Sequence, residues 1–282
     1  MKNLTKLTAL TLTAALVLTA CGSTADSAAP AESTADTAVT EETGGDLLSQ
    51  IQANGTITVA MEGTWAPWTY HDENDNLVGY DVEVATEIAK KLGVEPQFVE
   101  GEWDGLLAGL DAGRYDIMVN GVDITPERAE KYDFSTPYAF NRTAVITKAD
   151  DDSINTLEDL KGKKTANTIS STYAELAEQY GATVTGVDDL NQTFELLLSG
   201  RIDATLNAEV TYYDYMKEHP DANAKIAVLT ADANEVAIPM RKGDETATLR
   251  AAIDTAIEEM RADGTLKELS EKYFGTDIST NE

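Results

Sequence analysis

The chain has 282 residues, carries 21 basic against 50 acidic side chains for a formal net charge of −29, and contains one cysteine. A surface this acidic repels nucleic acid and anionic lipid, so neither a nucleic-acid partner nor a basic membrane patch is expected. The length is enough for two modest domains or one large one, and a single cysteine forms no disulfide within the chain.

Lys2 and Lys6 precede an apolar stretch at residues 7–17, which is followed by Leu18, Thr19, Ala20 and Cys21. A basic start, a short apolar core and small residues before a cut site describe a signal peptide over residues 1–20. The stretch is too short for a permanent membrane helix. A cysteine at the cut point resembles a bacterial lipobox, so Cys21 is expected to carry a lipid and to anchor the protein to the membrane. No thiol then remains for catalysis or metal binding. Residues 21–45 are rich in Ala, Ser, Thr, Asp, Glu and Gly and hold no aromatic residue, a composition that does not bury enough apolar surface to fold. They read as a tether with a span of roughly 25–30 Å.

From Asp46 onward short apolar strands alternate with amphipathic helices, the pattern of an α/β fold. Strands are predicted at 56–61, 96–100 and 116–120. Helices are predicted over DVEVATEIAKKLG, stopped by Gly93, over DGLLAGLDAG, capped by Asp104, and from Thr125. The second half predicts strands at 164–168, 183–187, 201–206 and 225–229, with helices at 171–180, 189–199 and 208–218. Two helices close the chain, the first capped by Asp244 and the second over TLKELSEKYFG.

In open α/β sheets ligands bind beyond the carboxyl ends of strands. Four loops there carry chemistry. The first runs from Glu62 to Trp68; its Trp65 is expected to touch a ligand and its Trp68 to lie in the core. The second runs from Asn120 to Arg128. Thr125 suits the N-cap and Pro126 the first helical position. A cation in a first helical turn is unfavourable by about 0.3–1 kcal/mol. Arg128 therefore either grips a bound anion with the free helix N–H groups or pairs with Asp123 or Glu127. The third, residues 168–173, offers three hydroxyls, Ser170, Ser171 and Thr172, beside helix N–H groups. The fourth brings Asn207 and Glu209 to the end of a strand.

GYDVEVATEIAKKLGV and EWDGLLAGLDAGRYDIMVNGVDITPERAEKYDFSTPY together resemble the polar amino-acid-binding proteins of ABC importers, solute-binding family 3. The phrase EGTWAPWTYHDENDNLVGYDVEV looks most like the cystine-binding branch. The resemblance spans roughly residues 50–275. It implies a two-lobed, type II periplasmic-binding-protein-like fold, with two hinge-crossing strands near residues 140–143 and 232–235 and the ligand in the interlobe cleft. One lobe would comprise residues 46–140 plus 235–282, the other 141–234. Trp65 and Trp103 would sandwich the ligand, and Arg128 would hold its α-carboxylate with help from Gly121 and Asp123. Asn120 would line the floor, Ser171 and Thr172 would donate from the second lobe, and Glu62 would read the ligand side chain. The family usually has an Asp at the position of Ala208, where it holds the α-ammonium. This chain departs from that, leaving Asn207 or Glu209 to take over.

The implied function is capture of a polar amino acid, cystine first, by a monomeric receptor that delivers it to an ABC permease with its cytoplasmic ATPase. No cofactor is required. Two other classes remain. Some relatives dehydrate cyclic carboxylic acids, and Glu62 or Glu209 would serve as the acid. A ligand-sensing receptor domain uses the same fold.

Overall fold

A computed structural model describes residues 46–281. Cys21, the expected signal peptide and the tether lie outside the described residues.

The chain opens with helix α1 (Leu47–Asn54), which sequence patterning missed. Asp46 caps it by accepting from the Ser49 N–H, and Gly55 closes it in the left-handed conformation. Strand β1 (Thr56–Met61) follows. A small meander of β2 (Thr64–Trp65), β3 (Thr69–His71) and β4 (Leu77–Val78) then carries the tryptophan loop. Helix α2 (Tyr80–Leu92) ends at Gly93, as its pattern predicts. Then come β5 (Glu95–Glu100), α3 (Trp103–Asp111), β6 (Ile117–Met118) and α4 (Pro126–Lys131). β1 is the centre of a parallel sheet of order β5-β1-β6, and parallel neighbours require the helical crossovers that α2 and α3 supply.

Short strands β7 (Tyr132–Phe134) and β8 (Ala139–Asn141) lead to β9 (Thr143–Lys148). The second half adds β10 (Lys164–Asn167), α5 (Thr172–Gln179), β11 (Thr183–Gly186), α6 (Leu190–Leu198), β12 (Ala204–Ala208), α7 (Glu209–Glu218) and β13 (Ala224–Leu229). These strands form a five-stranded sheet of order β11-β10-β12-β9-β13. The chain returns through β14 (Asn234–Val236) and β15 (Pro239–Arg241), and ends in α8 (Ala247–Ala262) and α9 (Thr265–Phe274).

This is a two-lobed type II architecture. β8 pairs antiparallel with β14, placing Asn141 against Asn234 and Ala139 against Val236, and β7 pairs with β15. The chain passes between the two sheets through β8 and returns through β14. The chain end is fastened beside them, because the Phe140 N–H donates to the Ile278 carbonyl at 2.7 Å.

Each lobe has its own core. In the first, Leu249, Ile253, Ala256, Ile257 and Met260 recur at helical spacing on α8 and pack with α2 and β1. In the second, alternate residues of β9 serve opposite faces of the sheet: Ala144 and Ile146 join Phe194 and Leu197, whereas Val145 joins Leu160 and Leu206.

Three local expectations are corrected. α3 starts at Trp103, so Asp104 lies in its first turn and is not its cap; its carboxylate instead bonds the Ser170 hydroxyl across the cleft. Asp244 sits in a 3-10 turn before α8, whose start at Thr246 has no side-chain cap. The predicted strand at 116–120 shrinks to Ile117–Met118, and Asn120 beyond it turns its amide onto Glu62.

Candidate functional site

A cleft lies between the carboxyl ends of the strands of both lobes, the place where ligands sit in such folds. Glu62, Trp65, Trp103, Gly121, Asp123 and Arg128 line it from the first lobe. Asn167, Ser171, Thr172, Asp189 and Asn207 line it from the second.

The wall begins with Trp65, which stacks on Trp68 at 5.4 Å between ring centroids. Trp68 is 1% exposed and packs against Tyr80 and Phe274, so it belongs to the core as its sequence setting suggests. Its indole N–H donates to the Thr211 hydroxyl on α7. Gly121 makes room for Trp65: it has φ +55°, and a Cβ there would stand 2.6 Å from Trp65 Cζ3. Trp103 forms the opposite aromatic surface, with the Arg128 guanidinium carbon 5.1 Å from its ring centroid.

Arg128 is held by the helix start that the sequence predicts. The Thr125 hydroxyl accepts from the Arg128 N–H at 3.1 Å, and Pro126 takes the first helical position. The guanidinium is buried. It donates to the Asp123 carbonyl at 3.1 Å and, from the other lobe, to the Ser170 carbonyl at 3.2 Å. Ser170 adopts φ +59°, a costly conformation for a residue with a Cβ. Arg128 forms no ion pair with Asp123, Glu127 or any other described residue. A buried guanidinium without a carboxylate partner is costly, and an anion between the lobes would relieve that cost.

Ser171 caps α5, accepting from the Ala174 N–H and donating to the Thr168 carbonyl. Thr172 donates to Asp123 Oδ2 across the cleft at 2.5 Å, and Asn234 of β14 donates to the same oxygen at 3.2 Å. One oxygen of the Asp123 carboxylate thus bridges the lobes, while its carbonyl serves Arg128.

Two expected residues do not join the cleft. Asn120 is fully buried behind it. Its Oδ1 accepts from the Glu62 N–H and its Nδ2 donates to Glu62 Oε2, both at 2.7 Å, so it positions Glu62 instead of lining the floor. Glu209 lies outside, drawn to Arg142 at 2.9 Å. Asn207 does line the cleft, but its Oδ1 accepts from the Ala208 N–H at 2.8 Å and is already engaged. Sequence reading missed Asn167, Asp189, Leu190 and Thr193, all in the lining. Asn167 closes strand β10 and Asp189 caps the helix after β11, so the rule that ligands sit at strand carboxyl ends pointed to both.

Among the described residues, three side-chain polar atoms of the lining are buried without a hydrogen-bond partner: Trp65 Nε1, Trp103 Nε1 and Asn167 Oδ1. Burial pushes the Glu62 carboxyl up to about 7; the Asn120 hydrogen bond opposes this and the charge of Asp104 adds to it. Burial also lifts Asp123 to about 6, against the pull of Thr172, Arg128 and Asn234. No group of three or more His, Cys, Asp or Glu among the described residues is placed to hold a metal ion.

Two α/β lobes, paired crossing strands and a polar cleft with aromatic walls define a two-lobed binding protein. The model of one family matches residues 57–276. The chain belongs to the bacterial extracellular solute-binding proteins, family 3. The L-cystine-binding protein TcyA of Bacillus subtilis strain 168 is 41% identical over 236 residues, 83% of this chain and 87% of its own length. An ancestral arginine-binding protein bound to arginine is 39% identical with a TM-score of 0.73, covering 78% of this chain and 99% of that one. The L-cystine solute receptor of Neisseria gonorrhoeae, in the unliganded open conformation, is 42% identical with a TM-score of 0.58, covering 84% and 100%. The chain thus shares slightly more sequence with the open structure and superposes better on the ligand-bound one. The bonds of Arg128 to Ser170 and of Thr172 to Asp123 hold the lobes together in the same sense.

Proposed function

We propose that this protein is the lipid-anchored, extracytoplasmic receptor of an ABC importer, capturing a polar amino acid, with cystine the leading candidate, and presenting it to a permease. One observation carries the reading: Arg128 is buried in the cleft without an ion pair, its guanidinium lying over Trp103 and bonded to both lobes. The ligand's α-carboxylate would satisfy it, and Trp65 and Trp103 would flank the remainder with two unpaired indole donors. Cystine has the support of the named relatives; arginine is the alternative that the bound ancestral structure suggests. Micromolar capture requires about −8 kcal/mol. Two or three charged hydrogen bonds at about 1.5–3 kcal/mol each, with aromatic contact, reach that range after the entropy of capture. Calorimetry with L-cystine and L-arginine tests the reading: Arg128→Ala should abolish binding with the fold intact, and unchanged affinity would sink it.

A second reading has one observation in its favour. Burial pushes the Glu62 carboxyl up to about 7 inside a cleft closed by both lobes, which suits a general acid at neutral pH. Glu209 is withdrawn from that role by Arg142. Turnover of a prephenate-like cyclic acid by the purified protein, lost in Glu62→Gln, would favour a dehydratase.

A further inference from the structure

We propose that the side-chain oxygen of Asn167 accepts the hydrogen bond of the ligand's α-ammonium, the place that an Asp fills in the family where this chain has Ala208. The inference rests on the reading that the cleft binds an amino acid. It concerns how a chain with a methyl group at that position still recognises the nitrogen.

Each neighbouring candidate already has a hydrogen bond or ion pair within the protein, though Asp123 and Glu62 use only one carboxylate oxygen each. Asn207 has its Oδ1 on the Ala208 N–H. Glu209 is bound to Arg142 outside the cleft. Asp189 uses one oxygen on the Gln192 N–H and the other on Gln192 Nε2. Asp123 Oδ2 accepts from Thr172 and Asn234. Glu62 Oε2 accepts from Asn120.

Asn167 differs in kind. It is 2% exposed yet lines the cleft, and its Oδ1 has no partner in the protein. The orientation of its carboxamide is determined by the sheet. Nδ2 donates to the Leu206 carbonyl at 2.6 Å and to the Thr205 hydroxyl at 3.4 Å. The Thr205 hydroxyl spends its proton on the Ala166 carbonyl at 2.8 Å, so toward Asn167 it only accepts. Turning the carboxamide over would press Oδ1 against a carbonyl oxygen. The amide is therefore locked with its acceptor unspent, bonded to β12 two residues before Ala208. A buried acceptor fixed in this way selects an N–H donor. The ligand class that follows bears its amine on the carbon next to the carboxylate, with the carboxylate on Arg128.

The test compares each amino acid with its counterpart lacking the α-amine: L-cystine with 3,3′-dithiodipropionate, and L-arginine with 5-guanidinopentanoate. Titration calorimetry gives both affinities for the wild type and for Asn167→Ala, with thermal melting as the check on folding. The wild type should prefer the amine-bearing member, and Asn167→Ala should weaken that member by about tenfold or more while changing the deaminated one little. Equal loss on both would make Asn167 a structural residue only, and no loss on either would also overturn the proposal. A crystal structure of the wild-type complex reads the same contact without substitution, with the ligand nitrogen expected within about 3 Å of Oδ1. A nitrogen seated only on Glu62, Asp123 or Asp189 would overturn it. If the wild type binds neither amino acid, the amino-acid reading itself has failed, and this inference with it.

Discussion

Gly121 and Trp65 form one device. The backbone at φ +55° and the ring 2.6 Å from where a Cβ would sit leave space for hydrogen alone. Gly121→Ala should strain the turn by about 1–3 kcal/mol and push Trp65 off its stack on Trp68. The expected result is a lowered melting temperature together with at least about a tenfold loss of ligand affinity; unchanged affinity would show that Trp65 does not touch the ligand. Glu62 yields a prediction with a sign. Burial keeps its proton on up to about pH 7, and a ligand ammonium or guanidinium placed against it would favour the ionised form. Binding between about pH 6 and 7 should therefore release a proton, and affinity should rise as pH climbs through that window. Calorimetry in buffers of different ionisation enthalpy measures the release, and Glu62→Gln should remove it.

At the scale of elements, the first turn of α2 is tied to the entry of the crossing strand β8. The Tyr138 hydroxyl donates to Asp81 Oδ1 at 2.7 Å, and the Tyr80 hydroxyl donates to the Tyr138 carbonyl at 3.2 Å. Asp81 is fully buried and its other oxygen has no partner. Burial pushes its carboxyl up to about 7, against the Tyr138 hydroxyl and the Gly121 N–H. A carboxyl raised on folding stabilises the native state below its unfolded value near 4, and that contribution disappears as pH rises toward 7. Asp81→Asn should therefore flatten the decline in unfolding free energy between about pH 4 and 7, with a difference on the order of a few kcal/mol at the upper end. Denaturant titrations at each pH provide the check; parallel curves would show that Asp81 titrates normally. The long elements were legible because their apolar residues recur with a clear period, as on α2 and α8. The crossing strands β8 and β14 have three residues each, too few for any period, and only the resemblance located the crossing. Arg128 and Trp65 stood out because they break local expectations within a few residues. Asn167 did not, since its meaning arises from Leu206, 39 positions away.

At the scale of the molecule, the side-chain bonds between the lobes run from Arg128 to Ser170, Thr172 and Asn234 to Asp123, Ser170 to Asp104 and Trp68 to Thr211. So slender a latch implies that ligand supplies much of the closing energy. Small-angle scattering should show a smaller radius of gyration with saturating ligand than without it, and identical values would argue against closure. Ligand at 100 times its Kd should add about 2.7 kcal/mol to stability, visible as a thermal shift. In cells, Cys21→Ser should reduce the protein found in the membrane fraction, and unchanged fractionation would count against a lipid on Cys21.

The chain has three tryptophans, and all three stand at this cleft: Trp65 and Trp103 in its walls and Trp68 directly beneath. With excitation at the red edge, where the eleven tyrosines absorb little, its emission therefore comes from the cleft alone. The Trp65–Trp68 stack should also give an excitonic couplet in circular dichroism, and displacing Trp65 would weaken it. The unlabelled protein is thus its own optical reporter: one emission spectrum follows occupancy, and one dichroism band follows the wall that the ligand meets.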